Sequence, residues 1–178
     1  MSINKLVCPY PANISPLSSG GFMLDIQKSP QVRFWCQEVA LPDITLDTTT
    51  FSTPLNIVKQ PGDNLQFGAL NVQFLIDSNM DNYIELWNWM NGLGFPEDHA
   101  QFQTFINQQP SNPRGNLAKT VSDGTLSILN NSNNVIRNIQ FIDMFPTSLS
   151  SLTLQATNTD VTYLVGNVTF DYSHYKFI

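Results

Sequence analysis

Two histidines are the residues of this sequence that come nearest to catalytic chemistry. His99 directly follows Glu97 and Asp98, so an imidazole stands beside two carboxylates, the residue types of a general acid–base pair. The surrounding residues are polar, which favours a solvated loop over a reaction centre. His174 lies near the end of a strand pattern, where a lone histidine is more often an edge residue than a ligand. The histidines therefore predict no active site.

Cysteines and glycine-rich motifs give the same prediction. Cys8 and Cys36 are too few and too far apart for a metal site or a disulfide framework. The sequence contains no Gly-x-Ser-x-Gly nucleophile elbow and no glycine-rich phosphate loop with lysine. We predict a protein that is not an enzyme and that holds no metal and no cofactor.

Charge limits the partners that this chain can have. Its 178 residues carry a net charge of −6, and the eight Lys and Arg lie scattered along the sequence. Affinity for phosphates comes from clustered cations, so we predict that nucleic acid is repelled or passes by without being held. Charged residues make up 12% of the chain, about half of the ~25% that is typical of soluble domains. Such a weakly self-repelling surface suits contact with copies of itself.

Three tryptophans offer a different interpretation. Trp35, Trp87 and Trp89 could stack on sugar rings, as aromatic platforms do in carbohydrate-binding β-sandwiches. A core or subunit-interface role is favoured, because Trp87 lies on the apolar stripe of a predicted helix. A carbohydrate-binding β-sandwich of a receptor-binding module stays open as an alternative function.

The length of the chain predicts one domain, since it suffices for one buried core. Residues 1–20 contain Pro9, Pro11 and Pro16 and run into consecutive serines and glycines, so we predict an irregular arm that orders only against a partner. Residues 21–178 are then a single β-rich domain. We see no targeting signal and no stretch of membrane-spanning length, and we expect a protein made and used in solution, without a membrane partner.

Period-two alternation of apolar residues predicts strands along most of the chain. An Asn-rich run at 130–134 predicts the tip of a hairpin between two of them. The expected fold class is mainly β, an antiparallel barrel or sandwich with one flanking α-helix and a long protruding hairpin. The strand signals lie at 22–26, 32–40, 69–76, 125–129, 135–142 and 162–172.

The protruding hairpin is predicted from a Thr-rich segment, Ile44 to Asp63, that turns near residues 52–54. Gln60-Pro61-Gly62-Asp63 has the residue types of a tight turn and is expected to end it. The stretch Phe51–Val58 is apolar enough to need a partner, either inside the barrel or on a neighbouring subunit. The second option assigns subunit contact to Phe51, Pro54, Leu55, Ile57, Val58, Pro61, Gly62 and Asp63.

One amphipathic helix is predicted at 79–91, where apolar residues recur at helical spacing and glycines follow. Ile84, Trp87 and Met90 belong to the stripe that is expected to pack on the sheet. Trp89 projects from the other side of the helix and is a candidate interface residue.

The polar stretch 96–119 contains Pro110, Pro113 and Gly115. We predict a long loop here, with at most one helical turn near 99–105. A loop of this length is unusual in a compact domain, so a neighbouring molecule is expected to shape it.

Several short motifs follow one another in a recognisable order. Ala40-Leu41-Pro42 comes after the first strands, and a long hairpin at 45–60, Gly62-Asp63 and a strand from Asn71 to Asp77 come next. Phe145-Pro146-Thr147 with a Leu-rich strand, and a last strand ending in Asp171-Tyr172, close the series. This order resembles the tail tube protein family of contractile-tailed bacteriophages. The Pro-rich start, the stretch 96–119 and the residues after Tyr172 depart from the family pattern.

The resemblance implies a barrel or packed sandwich that forms six-fold rings, which stack into a hollow tube. The hairpin would contact the next ring, and DNA would pass through the lumen without specific binding. Partners would be further copies of the chain and sheath, baseplate hub or tube-terminator proteins, in a virion tail assembled in the host cytoplasm. A baseplate-end initiator or adaptor shares the fold and is the alternative position in the tail.

Overall fold

The computed structural model describes residues 16–96, 98–109, 115, 117–156 and 162–178. Strands and helices alternate unevenly along this part of the chain, with strands in the majority. The strands are β1 (Phe22–Ile26), β2 (Cys36–Ala40), β3 (Ile44–Ser52), β4 (Ile57–Phe67), β5 (Leu70–Leu75), β6 (Ser122–Leu129), β7 (Val135–Leu149), β8 (Val165–Asp171) and β9 (His174–Phe177). The helices are α1 (Val32–Trp35), α2 (Asp81–Gly94), α3 (His99–Gln108) and α4 (Leu117–Thr120).

Seven strands form one sheet, in which six follow the order β1-β6-β7-β8-β5-β2 and β9 pairs with β7. All pairings are antiparallel. The long strand β7 joins the two halves of the sheet, because residues 135–144 pair with β6 and residues 145–149 pair with β8. It changes partner beside Asp143, whose φ is 54°. A left-handed residue of this kind inside a strand lets the strand bend.

The core is built from alternate residues of these strands, as a period of two requires. Gly166 leaves room for one of the core rings, because a Cβ added there would lie 2.9 Å from Cζ of Phe74. The strands contribute the fully buried side chains Leu24, Ile26, Leu70, Val72, Phe74, Ile139, Phe141, Met144, Val168 and Phe170. The expectation of a mainly antiparallel β fold is confirmed.

The strand predicted at 32–40 is half wrong. Residues Val32–Trp35 form the single helical turn α1, and only Cys36–Ala40 are extended. Pro30 explains the difference, because its fixed φ suits the start of a helix, and Gln31 already has helical angles of −64° and −33°. The apolar residues that alternated in the sequence therefore fall partly on a helical turn.

The hairpin is present, but the turn predicted at Gln60–Asp63 is wrong. Strand β4 continues through these residues to Phe67, and Pro61 lies opposite Thr48 at a register shift. A proline without an N–H is tolerated there because the hairpin strands are edges. Gly62 is required at the same place, since an added Cβ would lie 2.8 Å from the backbone oxygen of Asp47.

The predicted helix is α2, but the face that packs on the sheet is not the predicted one. Ile84 and Trp87 are exposed, with Trp87 at 51%, and Met90 is half-buried. The buried face carries Asn82, Leu86, Trp89 and Gly92. Trp89 is 4% exposed, so it is a core residue and not an interface residue in this chain.

The buried position of Asn82 explains the error. Its Nδ2 donates to the carbonyl oxygen of Leu75 at 2.7 Å, and its Oδ1 accepts from the backbone N–H of Asp77 at 3.3 Å. The side chain therefore ties the helix to the end of β5. Because this buried residue is polar, the periodicity of apolar residues does not identify the inner face of the helix.

The stretch predicted as a loop at 96–119 contains two helices in its described part. Helix α3 has ten residues and α4 has four. Phe105 of α3 packs against Gly92 of α2 so closely that a Cβ on Gly92 would lie 2.6 Å from the ring. The expectation of one flanking helix is therefore corrected to a helical layer.

Candidate assembly surfaces

The hairpin β3–β4 forms a two-stranded sheet of its own. All residues of β3 and all but two of β4 are exposed. Large apolar side chains are exposed at its tip, where Leu55 is 99% exposed and Phe51, Ile57 and Val58 are exposed on the adjoining strand ends. A lone two-stranded hairpin is at best marginally stable in water. The hairpin is therefore a surface that needs a partner.

The turn at the tip has a defined shape. The backbone N–H of Thr53 donates to the carbonyl oxygen of Asn56 at 2.9 Å, and the N–H of Asn56 donates to the Thr53 hydroxyl at 3.1 Å. Phe51 and Val58 face each other across the two strands. These hydrogen bonds define the conformation of the loop without any contact to another molecule.

Aromatic residues hold the base of the hairpin to the sheet. The rings of Phe67 and Tyr175 meet edge to face at 5.4 Å. The hydroxyl of Tyr172 donates to the carbonyl oxygen of Gly68 at 2.7 Å, and that of Tyr175 donates to Pro42 at 3.3 Å. Burial raises the pKa of Tyr172 to about 12, so the phenol stays a donor at neutral pH. The hairpin is anchored at one end and uncovered at the other.

The outer face of α2 is a second exposed surface. Ile84 and Trp87 lie one turn apart on it. Asp81 and Glu85 lie on the same helix, and the sequence has no Lys or Arg between Lys59 and Arg114. This outer face therefore carries exposed apolar side chains, with the exposed Asp81 in the first turn of the helix, whereas Glu85 points toward Ser29.

The predicted acid–base group lies on the surface. Asp98 and His99 are exposed, and the imidazole of His99 stacks on Phe102 with ring centres 6.1 Å apart. Glu97 lies outside the described residues. His174 is likewise exposed, at the start of β9. Both imidazoles therefore lie at the surface of the described part of the chain.

The remaining chemistry of the described residues is structural. Burial raises the pKa of the Cys36 thiol to about 11, which makes it a poor nucleophile at neutral pH. Cys8 lies outside the described residues. Within the described ranges, no group of three or more His, Cys, Asp or Glu is placed to hold a metal ion, and no helix has the length and apolarity to cross a membrane.

Residues 9–178 match the sequence model of the phage tail tube protein family. The match spans nearly the whole chain. The chain belongs to this family. A tail tube family member is a structural component of a phage or phage-like tail, so the resemblance found in the motif order is confirmed. No curated protein matches the sequence.

Solved structures of contractile injection systems share the fold. One is the sheath-tube complex of an extracellular contractile injection system, PVC, in the extended state, with a TM-score of 0.56 and 19% identity over 92% of this chain and 91% of that chain. Another is the tube-terminating cap of the anti-feeding prophage, with a TM-score of 0.59 and 18% identity over 98% of each chain.

A third structure is the six-fold symmetrised baseplate of the anti-feeding prophage, with a TM-score of 0.63 and 10% identity over 92% of this chain and 96% of that chain. At these identities the likeness shows the fold. The family that the chain belongs to is one of structural tail proteins.

The structure places the predicted contact residues of the hairpin in two groups. Phe51, Pro54, Leu55, Ile57 and Val58 lie together at the tip, whereas Pro61, Gly62 and Asp63 lie further down β4. Sequence reasoning missed an apolar patch nearer the base, where Leu46 faces Leu65 and Ile44 faces Phe67. The signal for it was the alternation of Ile44 and Leu46 within the Thr-rich segment.

Proposed function

We propose that this chain is a structural subunit of a contractile tail tube, in which hexameric rings stack around a channel for DNA. The observation that carries the proposal is the ordered, uncovered apolar tip of hairpin β3–β4 on a chain of the tail tube family. The tip contacts the next ring through Phe51, Leu55, Ile57 and Val58.

The form of this contact favours an open stack. In the proposed stack the tip meets a different surface on the next copy, and such a head-to-tail contact repeats along an axis when its rotation does not close into a ring. Burial of apolar side chains at the tip supplies the attraction, and each large side chain that is fully buried contributes about 1.5–3 kcal/mol. Pro61, Gly62 and Asp63 extend the contact along β4.

The uncovered face of strands β2, β5 and β8 is our candidate for the channel wall. These three strands contain no Lys or Arg. Their outward residues include Asn71 and Asn167, and the hydroxyl of Thr169 donates to Asn71 Oδ1 at 2.9 Å. The same face also carries the exposed carboxylates Glu38 and Asp171, and a wall of polar and acidic groups without fixed cations lets phosphates pass without holding them.

Further parts of the proposal concern the arm and the partners. Residues 21–178 act as one tube domain, and residues 1–20 are an arm that orders against a neighbouring subunit; of these, residues 16–20 are described and lie outside helices and strands. Sheath, baseplate and terminator proteins are the other partners, and assembly takes place in the host cytoplasm. Support comes from fold neighbours in sheath-tube, cap and baseplate structures.

The carbohydrate-binding alternative loses one of its supports. It depended on tryptophans at the surface, and Trp89 is buried against Phe170 with ring centres 6.2 Å apart. Only Trp35 and Trp87 are exposed, on separate elements.

Negative-stain electron microscopy of the purified chain tests the proposal. We expect tubes or stacked rings with six-fold end views for the wild type, and loss of stacking for Leu55→Asp. Leu154→Asp is the matched control, because Leu154 is 79% exposed but lies outside the hairpin. Single rings or short stacks would favour a baseplate-end initiator. Tubes that form equally well with Leu55→Asp would contradict the role of the hairpin, and a wild type that stays monomeric even with baseplate extract would contradict the tube.

A further inference from the structure

A cleft with two lysines lies beneath the helical layer. It has a volume of about 1010 Å³ and opens between α2, α3, α4 and the start of β6. The Nζ atom of Lys28, in the turn after β1, lies 5.3 Å from the ring centre of Trp89 and 5.2 Å from that of Phe105. The Lys28 ammonium donates to the carbonyl oxygen of Lys119, and the Lys119 ammonium lies 3.4 Å from the carbonyl oxygen of Ile106.

Among the described residues, the ion pair that forms is Arg33 with Asp25. Neither the Lys28 nor the Lys119 ammonium group has a described carboxylate at ion-pair distance. Burial lowers the pKa of Lys28 to about 8, which reflects a charge that is poorly compensated. Carbonyl oxygens and ring faces supply partial negative charge, but a partly buried cation is normally paired with an acid. No carboxylate of the described residues is paired with either lysine, so the two ammonium groups can receive a carboxylate from a ligand.

The residues that line the cleft indicate which class of ligand supplies this carboxylate. They include side-chain amides, which both donate and accept hydrogen bonds, as a peptide main chain does. These amides are Gln27, Asn88, Asn91, Gln108 and Gln109. We propose that the cleft binds an acidic polypeptide segment, with an Asp or Glu carboxylate held between Lys28 and Lys119 and its main chain against the amides.

Two acidic residues of the chain also line the cleft and narrow the class of ligand. Glu85 accepts a hydrogen bond from the Ser29 hydroxyl at 2.9 Å, and burial raises its pKa. Asp98 is exposed at the rim. These carboxyl groups disfavour a dense polyanion such as nucleic acid. A segment in which neutral residues separate the carboxylates fits the cleft better.

Fluorescence anisotropy of a labelled peptide tests the site. The probe is Gly-Asp-Gly-Asp-Gly with blocked ends, and Gly-Asn-Gly-Asn-Gly is the neutral control. We expect the wild type to bind the Asp peptide and not the Asn peptide. Lys28→Met, which keeps an apolar stem between the two rings, and Lys119→Gln are each expected to weaken binding at least tenfold. Lys176→Met, at an exposed lysine on β9, leaves binding unchanged.

Three results would overturn the proposal: equal binding of both peptides, no binding of the Asp peptide, or unchanged binding in both Lys28→Met and Lys119→Gln. Circular dichroism of each variant checks that the fold is retained. Carbodiimide cross-linking of the chain alone then identifies the source of the segment. A link from Lys28 to an acid of a second copy assigns it to the polymer, and peptide binding without such a link assigns it to another protein. The site does not depend on tube formation, so it can fail while the tube proposal stands.

Discussion

The seven-stranded sheet and the hairpin β3–β4 contain the same kinds of apolar residue in opposite surroundings. In the sheet, Val72 and Phe74 of β5 are buried, and a strand lies on each side of them. In the hairpin, Phe51 and Ile57 are exposed, and only the other hairpin strand is beside them. Apolar content alone therefore does not distinguish the core of the chain from an uncovered surface such as the hairpin tip. Removing a residue should destabilise the subunit in the first case and the polymer in the second.

The largest effect is expected for Phe170→Ala. Phe170 is fully buried beside Trp89, so its truncation leaves a cavity and should lower the free energy of unfolding by about 3–5 kcal/mol. Phe51→Ala in the hairpin is the matched control, with an expected change within about 0.5 kcal/mol. Urea unfolding of unassembled protein measures both. Similar losses in the two variants would contradict the distinction between sheet and hairpin.

The next largest effect on stability is expected from a comparison of two glycine substitutions, one in the sheet and one in the hairpin. Gly166→Ala places a Cβ 2.9 Å from the ring of Phe74, and we expect this overpacking to cost about 1–3 kcal/mol of unfolding free energy. Gly62→Ala makes an equally close contact, 2.8 Å from the backbone oxygen of Asp47, but in the hairpin. That strain should stay local and leave the unfolding midpoint nearly unchanged. A midpoint that falls as far for Gly62→Ala would show that the hairpin unfolds together with the sheet.

A smaller effect is expected from the titration of Lys28. Its pKa is lowered from 10.5 to about 8 in the folded chain, so between these pH values the unfolded chain binds more protons. The contribution of Lys28 to the free energy of unfolding is therefore greatest above pH 10.5. It decreases as the pH falls from 10.5 and is lost as the pH falls through 8. Because Lys28 is half-exposed, we expect about 1 kcal/mol or less. The free energy of unfolding of the wild type minus that of Lys28→Met should rise with pH in this window, and a flat difference would contradict the assignment.

The smallest change in subunit stability is expected for Leu55→Asp. Leu55 is 99% exposed and should alter the free energy of unfolding by no more than about 0.5 kcal/mol. Its effect should appear in sedimentation velocity, as a loss of large species at concentrations where the wild type assembles. Loss of stability and of assembly together would mean that the tip also supports the fold.

Strands β1, β5 and β8 were predictable because alternate residues of each are buried. In β5 the alternating residues Leu70, Val72 and Phe74 are all core residues. The face of α2 was not predictable, because both sides of this helix carry large apolar residues. Contacts that decide between the sides, such as the N–H of Trp89 donating to the carbonyl oxygen of Thr120 at 2.9 Å, come from distant parts of the chain.

The candidate surfaces were also predictable only where they depend on neighbouring residues in the sequence. The hairpin tip was predictable, since Phe51–Val58 is an apolar run next to turn residues. The cleft was not, because Lys28 and Lys119 are 91 positions apart and meet only in the folded chain. Helix α3 was predicted only as one turn near 99–105 for a local reason: Pro110 and Pro113 near its end indicated a loop.

The position of β8 in the sheet has a consequence for synthesis. β8 lies between β7 and β5, and in the sheet order it alone connects β5 and β2 to the other strands. It is also translated after every other described strand except β9. A polypeptide that stops before Val165 therefore leaves two separate pieces of sheet with open edges, which cellular proteases can degrade. The sheet therefore becomes complete only after almost the whole described chain has been translated.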